Sequence, residues 1–150
     1  MAANGAICLT FTTDPVILTT AVLCARLPDQ AEMFLPGVRH RTLTHHLYFW
    51  GGLTLFLFLA PRLNLLPGVD PVVVKVLLGL FAGGLLHVAM DMFSKSGIPL
   101  YPGKVWGARV YTTGSYSEYL FLALILVFCG LGFVFANPSQ IDMIRAHLGF

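Results

Sequence analysis

Charge is scarce in this chain. Asp, Glu, Lys and Arg make up 11% of its 150 residues, with a net charge of +2, where soluble domains carry about 25%. The basic residues are scattered over connecting segments, so no basic stripe exists to track a phosphate backbone and no nucleic-acid partner is expected. Cysteine is sparse too. Cys8, Cys24 and Cys129 fall in apolar stretches without C-x-x-C spacing, which argues against a disulfide framework and for small buried hydrophobes. No repeat or low-complexity tract occurs. The N-terminus lacks the basic region and small-residue cleavage site of a removable signal peptide, so membrane insertion is expected to rely on the chain's own segments.

What is present is apolar surface: 57% of residues are hydrophobic and the mean hydropathy is +0.79. A chain this short buries only a modest fraction of its area, which makes the bilayer its natural solvent and one domain over residues 1–150 the expectation. Val72–Phe93 is an apolar run broken only by Lys75 near its start and His87 and Asp91 near its end. Ser117–Ala136 is also long enough for the roughly 30 Å hydrocarbon core. His46–Leu59 is shorter, extendable through Pro61–Leu66 or back to Thr44, with the regular helix ending or bending near Ala60 because of Pro61. The pattern predicts an all-α, polytopic helical membrane protein with three transmembrane helices.

A further N-terminal helix is expected within Gly5–Ala25, where Asp14-Pro15 reads as an N-cap followed by proline at the first helical position. From Pro15 to about Arg26 it would be roughly 18 Å long, so it is either re-entrant or bent at Pro15. Leu27–Thr44 reads as a polar, basic linker, Pro67–Pro71 as a tight turn and Ser94–Tyr116 as a longer loop. The tail Pro138–Phe150 is expected to lie on the surface as a short amphipathic helix through Ile141, Ile144 and Leu148. Trp50, Trp106, Tyr101, Tyr111, Tyr116 and Tyr119 are candidate interfacial aromatics.

Two polar clusters stand at the edges of these spans: Asp29 with His40-Arg41-Thr42-Leu43-Thr44-His45, and His87 with Asp91. Ionisable groups are costly beside hydrocarbon and mark functional candidates. The second span leaves from His45, turns at Pro67–Pro71 and returns to His87, so an antiparallel hairpin brings both clusters to one side of the membrane. His87 and Asp91 are four apart and share a helix face. His40 can join only from a loop, with the helix starting near Thr44 as N-cap. These residue types suit a catalytic divalent metal, with Asp29, His40, His45, His87 and Asp91 as ligands. Glu32 is a candidate general base or ligand, Glu118 a carboxylate at the start of the last span within reach, and Arg41 a clamp for an anionic group. The bland alternatives are a hydrogen-bonded polar cluster that fixes packing, a turn role for Asp29, a helix N-terminal charge for Glu118 and a topology role for Arg41. His46 reads as an interfacial neighbour and His147 as a tail residue. Arg26, Arg39, Arg41, Lys95, Lys104 and Arg109 outnumber Arg62, Lys75 and Arg145, which predicts a cytoplasmic site.

With Leu27-Pro28-Asp29, His40-Arg41-x-x-Thr44-His45, His87-x-x-x-Asp91, Gly97-Ile98-Pro99-Leu100-Tyr101-Pro102 and Arg109…Thr113-Gly114-Ser115…Glu118 in order, residues 20–120 resemble the YdjM-type family of bacterial inner-membrane proteins, classed as metal-dependent hydrolases. The resemblance implies a helical membrane fold and a divalent-metal site; some members are described as LexA-associated. Two departures stand out. Ala31 occupies the position of the family's second acid, for which Glu32 substitutes only with a shifted backbone. Thr42 stands for the glycine after the His-Arg pair, and His46 for a small polar residue. Both put a second metal in question more than a first.

The leading expectation is a membrane-bound metal-dependent hydrolase at the cytoplasmic face, using zinc or manganese, on a phosphoester or lipid-headgroup substrate. Its partners would be the bilayer and a small-molecule or lipid substrate. A metal or proton transporter subunit is the alternative, but the interiors of the third and fourth spans carry no polar relay. A non-enzymatic helper that docks other membrane proteins through Gly79, Gly83, Gly84 and the Ser94–Tyr116 loop leaves the histidines unexplained.

Overall fold

The computed structural model describes residues 12–34, 43–101, 104–136 and 138. His40, Arg41, His147, Cys8 and the expected tail helix lie outside the described residues. The chain is mostly helical: α1 (Pro15–Leu23) runs through a 3₁₀ turn (Cys24–Arg26) into α2 (Leu27–Met33). A second 3₁₀ turn (Leu43–His45) precedes α3 (Leu47–Leu59), followed by α4 (Pro71–Phe93), a hairpin of β1 (Ile98–Tyr101) and β2 (Lys104–Trp106), and α5 (Tyr116–Ala136).

The same local device starts α1 and α4. Asp14 accepts hydrogen bonds from the N–H groups of Val16 and Ile17 at 2.9 and 3.3 Å, and Asp70 accepts one from Val72 at 2.7 Å, each with proline at the next position. α3 stops at Ala60, ahead of Pro61, as the sequence requires. That stop also corrects an expectation. α3 has 13 residues, about 20 Å, short of the hydrocarbon thickness. Among the described residues two helices, Pro71–Phe93 and Tyr116–Phe133, are long and apolar enough to cross a membrane. Neither has the buried surface of a soluble core helix: 28% of the apolar window of α4 and none of that of α5 is buried. α5 touches its neighbours near its start, where Phe121 meets Phe93 and Tyr111 at ring distances of 5.2 and 5.1 Å.

α1 lies parallel to α4. Lys75 pairs with Asp14 at 2.8 Å at one end, holding the Asp14 carboxyl below its usual range chiefly through that hydrogen bond, and His87 meets Asp29 at the other. Between these ends the two backbones touch. A Cβ at Gly79 would stand 2.6 Å from the Ile17 carbonyl oxygen, and one at Gly83 would collide with the Ala21 carbonyl. This is the small-residue packing that lets helices approach in lipid. The ring of Trp50 on α3 fills the space over Gly84. All three glycines thus pack against groups of the same chain. α3 returns antiparallel to α4, and Trp50, Val88 and Ile98 form the buried core where the helices meet the hairpin.

The segment read as a loop, Ser94–Tyr116, is a folded cap. β1 and β2 pair antiparallel, Ile98 opposite Trp106 and Pro99 opposite Val105. Gly97, at φ +64°, passes tightly under the Trp106 backbone where a side chain has no room. The last four carbonyls of α4, which a helix leaves unsatisfied, all find donors here: Met90 from the Tyr111 hydroxyl (2.9 Å), Asp91 from Ser94 N and Oγ (3.1 and 2.8 Å), Met92 from Ala108 N (2.7 Å) and Phe93 from Val110 N (2.8 Å). The cap fixes the end of α4 that carries His87 and Asp91. It also buries Tyr111, and Trp50 is buried in the core, so neither is an interfacial aromatic, whereas Trp106, Tyr116 and Tyr119 are exposed.

Candidate metal centre

Leu27–Met33 is helix rather than linker, with Pro28 in its first turn. Asp29 and Glu32 are three apart on it and share one face. The 3₁₀ turn Leu43–His45 sets the fully buried His45 imidazole between them. Its Nε2 lies 3.2 Å from Asp29 Oδ1, and its Nδ1 lies 3.1 Å from Glu32 Oε1. From α4, Asp91 Oδ2 reaches His45 Nε2 at 3.4 Å and His87 Nε2 at 3.8 Å, while His87 Nε2 lies 3.3 Å from Asp29 Oδ2. The two imidazoles stand edge to face, 5.7 Å apart. One donor atom from each of Asp29, His45 and His87 falls within 4.8 Å of the others, a group that could hold a metal ion.

Two observations test that fit. His87 Nε2 is buried and has no hydrogen-bond partner among the described residues, a costly arrangement unless an ion or proton meets it. The four nitrogen–oxygen separations, 3.2 to 3.8 Å, bracket the spacing of about 3.3–3.6 Å between neighbouring ligands of a tetrahedral ion with bonds of 2.0–2.2 Å. Two imidazoles and two carboxylates are a common donor set for zinc or manganese. Asp29 is the open member, its side chain 43% exposed against 12% for Asp91 and 0% for His45.

The electrostatics also call for a cation. Burial pulls the His45 pKa down, but the Asp91 carboxylate beside it and the charges of Glu32 and Asp29 outweigh burial and carry it above its ordinary value. In the metal-free protein the imidazolium therefore stabilises the fold. That contribution is present in full below about pH 6.5, the unfolded imidazole value, and is lost as pH rises through the raised folded value. Thermal unfolding in detergent with a chelator is expected to show the midpoint falling as pH increases above about 6.5. A flat or rising midpoint contradicts a protonated His45.

The structure thus brings together Asp29, Glu32, His45, His87 and Asp91. Glu118 is elsewhere. Its carboxylate accepts a hydrogen bond from the Gly114 N–H at the start of α5, a helix N-terminal role. His46 is the N-cap residue of α3 with no side-chain cap bond. Thr44 does not cap α3 as expected. The helix begins later, and the Thr44 hydroxyl turns back to donate to Glu32 Oε1, 3.1 Å from His45 Nδ1. Trp50 Nε1 donates to the Thr44 carbonyl at 2.6 Å. Neither role has a sequence signal, since both depend on the 3₁₀ turn that tertiary packing selects.

A largely helical chain with two membrane-length helices and a buried His/Asp cluster at one end of them defines a small membrane protein with a candidate metal centre. The model of the YdjM inner membrane protein family matches residues 1–150, the whole chain, and the chain belongs to that family. The match extends the resemblance beyond residues 20–120. No curated protein and no solved structure matches it.

Proposed function

We propose that this inner-membrane protein is a metal-dependent hydrolase whose site faces the cytoplasm. The observation that carries this reading is the convergence of Asp29, His45 and His87 within 4.8 Å, with Asp91 3.4 and 3.8 Å from the two imidazoles and Asp29 half-open to the surface. A divalent ion held there, zinc or manganese, would lower the pKa of a water and polarise an ester or phosphoryl oxygen. The protein's own part is to orient both imidazoles and both carboxylates. Asp29, the most exposed of the cluster's three carboxylates, is the group positioned to pass a proton between the site and solvent.

In the same reading the chain crosses the membrane several times. The helical run from Pro15 to Met33 accompanies α4 in parallel, α3 returns, and α5 leaves again. Arg26, Lys95, Lys104 and Arg109 sit in segments at the end bearing the cluster, Arg62 and Lys75 at the other, which supports a cytoplasmic site.

A lipid or other tailed substrate suits the surroundings. A cavity of about 530 Å³ lined by Leu27, Ala31, Phe49, Trp50, Leu80 and Phe81 adjoins Thr44, next to His45, within the 300–1,000 Å³ usual for ligand sites. With zinc- or manganese-loaded protein in detergent, a phosphoester carrying an alkyl tail is expected to be cleaved at least about tenfold faster, in kcat/KM, than its headgroup alone, since each buried CH₂ contributes about 0.8 kcal/mol. Equal rates would reject the tailed substrate, and no metal-dependent cleavage of either would reject the hydrolase.

A further inference from the structure

Glu32 stands on the side of His45 away from the cluster. Its side chain is 8% exposed, and its Oε1 takes the Thr44 hydroxyl proton while lying 3.1 Å from His45 Nδ1. Having given its proton to Glu32, the Thr44 oxygen, also 3.1 Å from Nδ1, can only accept there. These two neighbours of Nδ1, among the described residues, are therefore acceptors, which a hydrogen on that nitrogen would meet.

We propose that Glu32 is a positioning residue: with Thr44 it holds a proton on His45 Nδ1, so that Nε2 is the nitrogen left to offer its lone pair when a cation stands between it and Asp29, His87 and Asp91. The value of this to a metal site rests on the function proposed above. A ligating imidazole is oriented through its other nitrogen, commonly by a carboxylate, and losing that partner weakens metal affinity by about 10–100-fold. Three contacts make the arrangement rigid. Asp29 and Glu32 grip opposite edges of the ring from one face of α2, and Trp50 Nε1 pins the Thr44 carbonyl. Ala31 leaves the next position without an acid. Glu32 does not replace that acid as a ligand, because it approaches His45 from the nitrogen opposite Asp29 and Asp91.

The test uses the full chain in detergent with ¹⁵N-labelled histidine. Long-range ¹H–¹⁵N correlations, recorded without metal in alkaline buffer where the ring holds one proton, report the tautomer. Zinc titration in competition with a chelator reports affinity. With carboxylates facing both nitrogens, the wild type is expected to show a measurable share of His45 rings protonated on Nδ1. Glu32→Ala is expected to shift the proton towards Nε2 and to weaken zinc about 10–100-fold at unchanged stoichiometry. Glu32→Gln, whose amide oxygen still accepts from Nδ1, should keep the tautomer and lose less affinity; it also serves if the alanine variant does not fold. A wild type with no Nδ1-protonated His45, a tautomer balance unmoved by Glu32→Ala or, where zinc binds, an affinity unmoved by it overturns the proposal. A wild type that binds no zinc yet shows the tautomer shift upholds the positioning role and rejects the metal reading instead.

Discussion

Replacing His87 by alanine is expected to take the purified protein from about one bound zinc or manganese per chain to none, and metal-dependent hydrolysis to background. His87 Nε2 is buried with no hydrogen-bond partner among the described residues, and its ion-pair neighbour Asp29 is 43% exposed, so removing the ring deletes a ligand atom and leaves Asp29 open to water. Loss of a ligand should exceed the 10–100-fold in affinity that follows loss of a supporting partner. The fold should survive, because the side chain is 20% exposed and the core beneath it, Trp50, Val88 and Ile98, is untouched. Elemental analysis of the detergent-purified variant beside the wild type is the check. Retention of both metal and hydrolysis would remove His87 from the site.

The second large effect is expected far from any ligand. Gly83→Leu places a side chain where the Ala21 backbone already stands, and backbone cannot step aside as a flexible side chain can. α1 must part from α4, at a cost of about 3 kcal/mol or more. For a chain of this size that corresponds to a fall of roughly 10 °C in Tm. Since α1 continues into α2, Asp29 and Glu32 move with it, and zinc affinity should drop as well. Gly130 sets the contrast. A Cβ there meets nothing within 4 Å, so Gly130→Ala should be neutral or stabilising by up to about 1 kcal/mol through helix propensity. Thermal unfolding and zinc titration of both variants decide it; an unaltered Gly83→Leu would mean that α1 does not pack on α4.

These two sites divide what the sequence reveals from what it withholds. Local chemistry was readable. Asp14-Pro15 and Asp70-Pro71 announce helix starts because capping uses neighbouring residues, and Pro61 announces the end of α3. The meeting of His45 with His87 and Asp91 follows from a hairpin, which needs only two helices and a turn between them. Other features needed the third dimension. Pro61 reads as a stop, yet the sequence leaves open whether the span makes up its length through Pro61–Leu66 or back to Thr44, and the helix does neither. Gly79 and Gly83 signal close packing, but nothing in a single chain says whether the partner is internal or external. The hairpin after α4 has strands of four and three residues, one containing Pro99, too short for a period of two to stand out. By residue type Glu32 fits a base or a ligand; only the turn Leu43–His45 determines that it faces Nδ1 of His45.

X-ray absorption at the metal edge of the purified, zinc-loaded protein decides whether Asp29, His45, His87 and Asp91 surround a metal ion. The expected spectrum has nitrogen and oxygen neighbours at about 2.0–2.2 Å, the multiple-scattering signature of two imidazoles, and no sulfur. A protein that takes up no zinc or manganese, or whose zinc is bound through cysteine sulfur at about 2.3 Å, would contradict it.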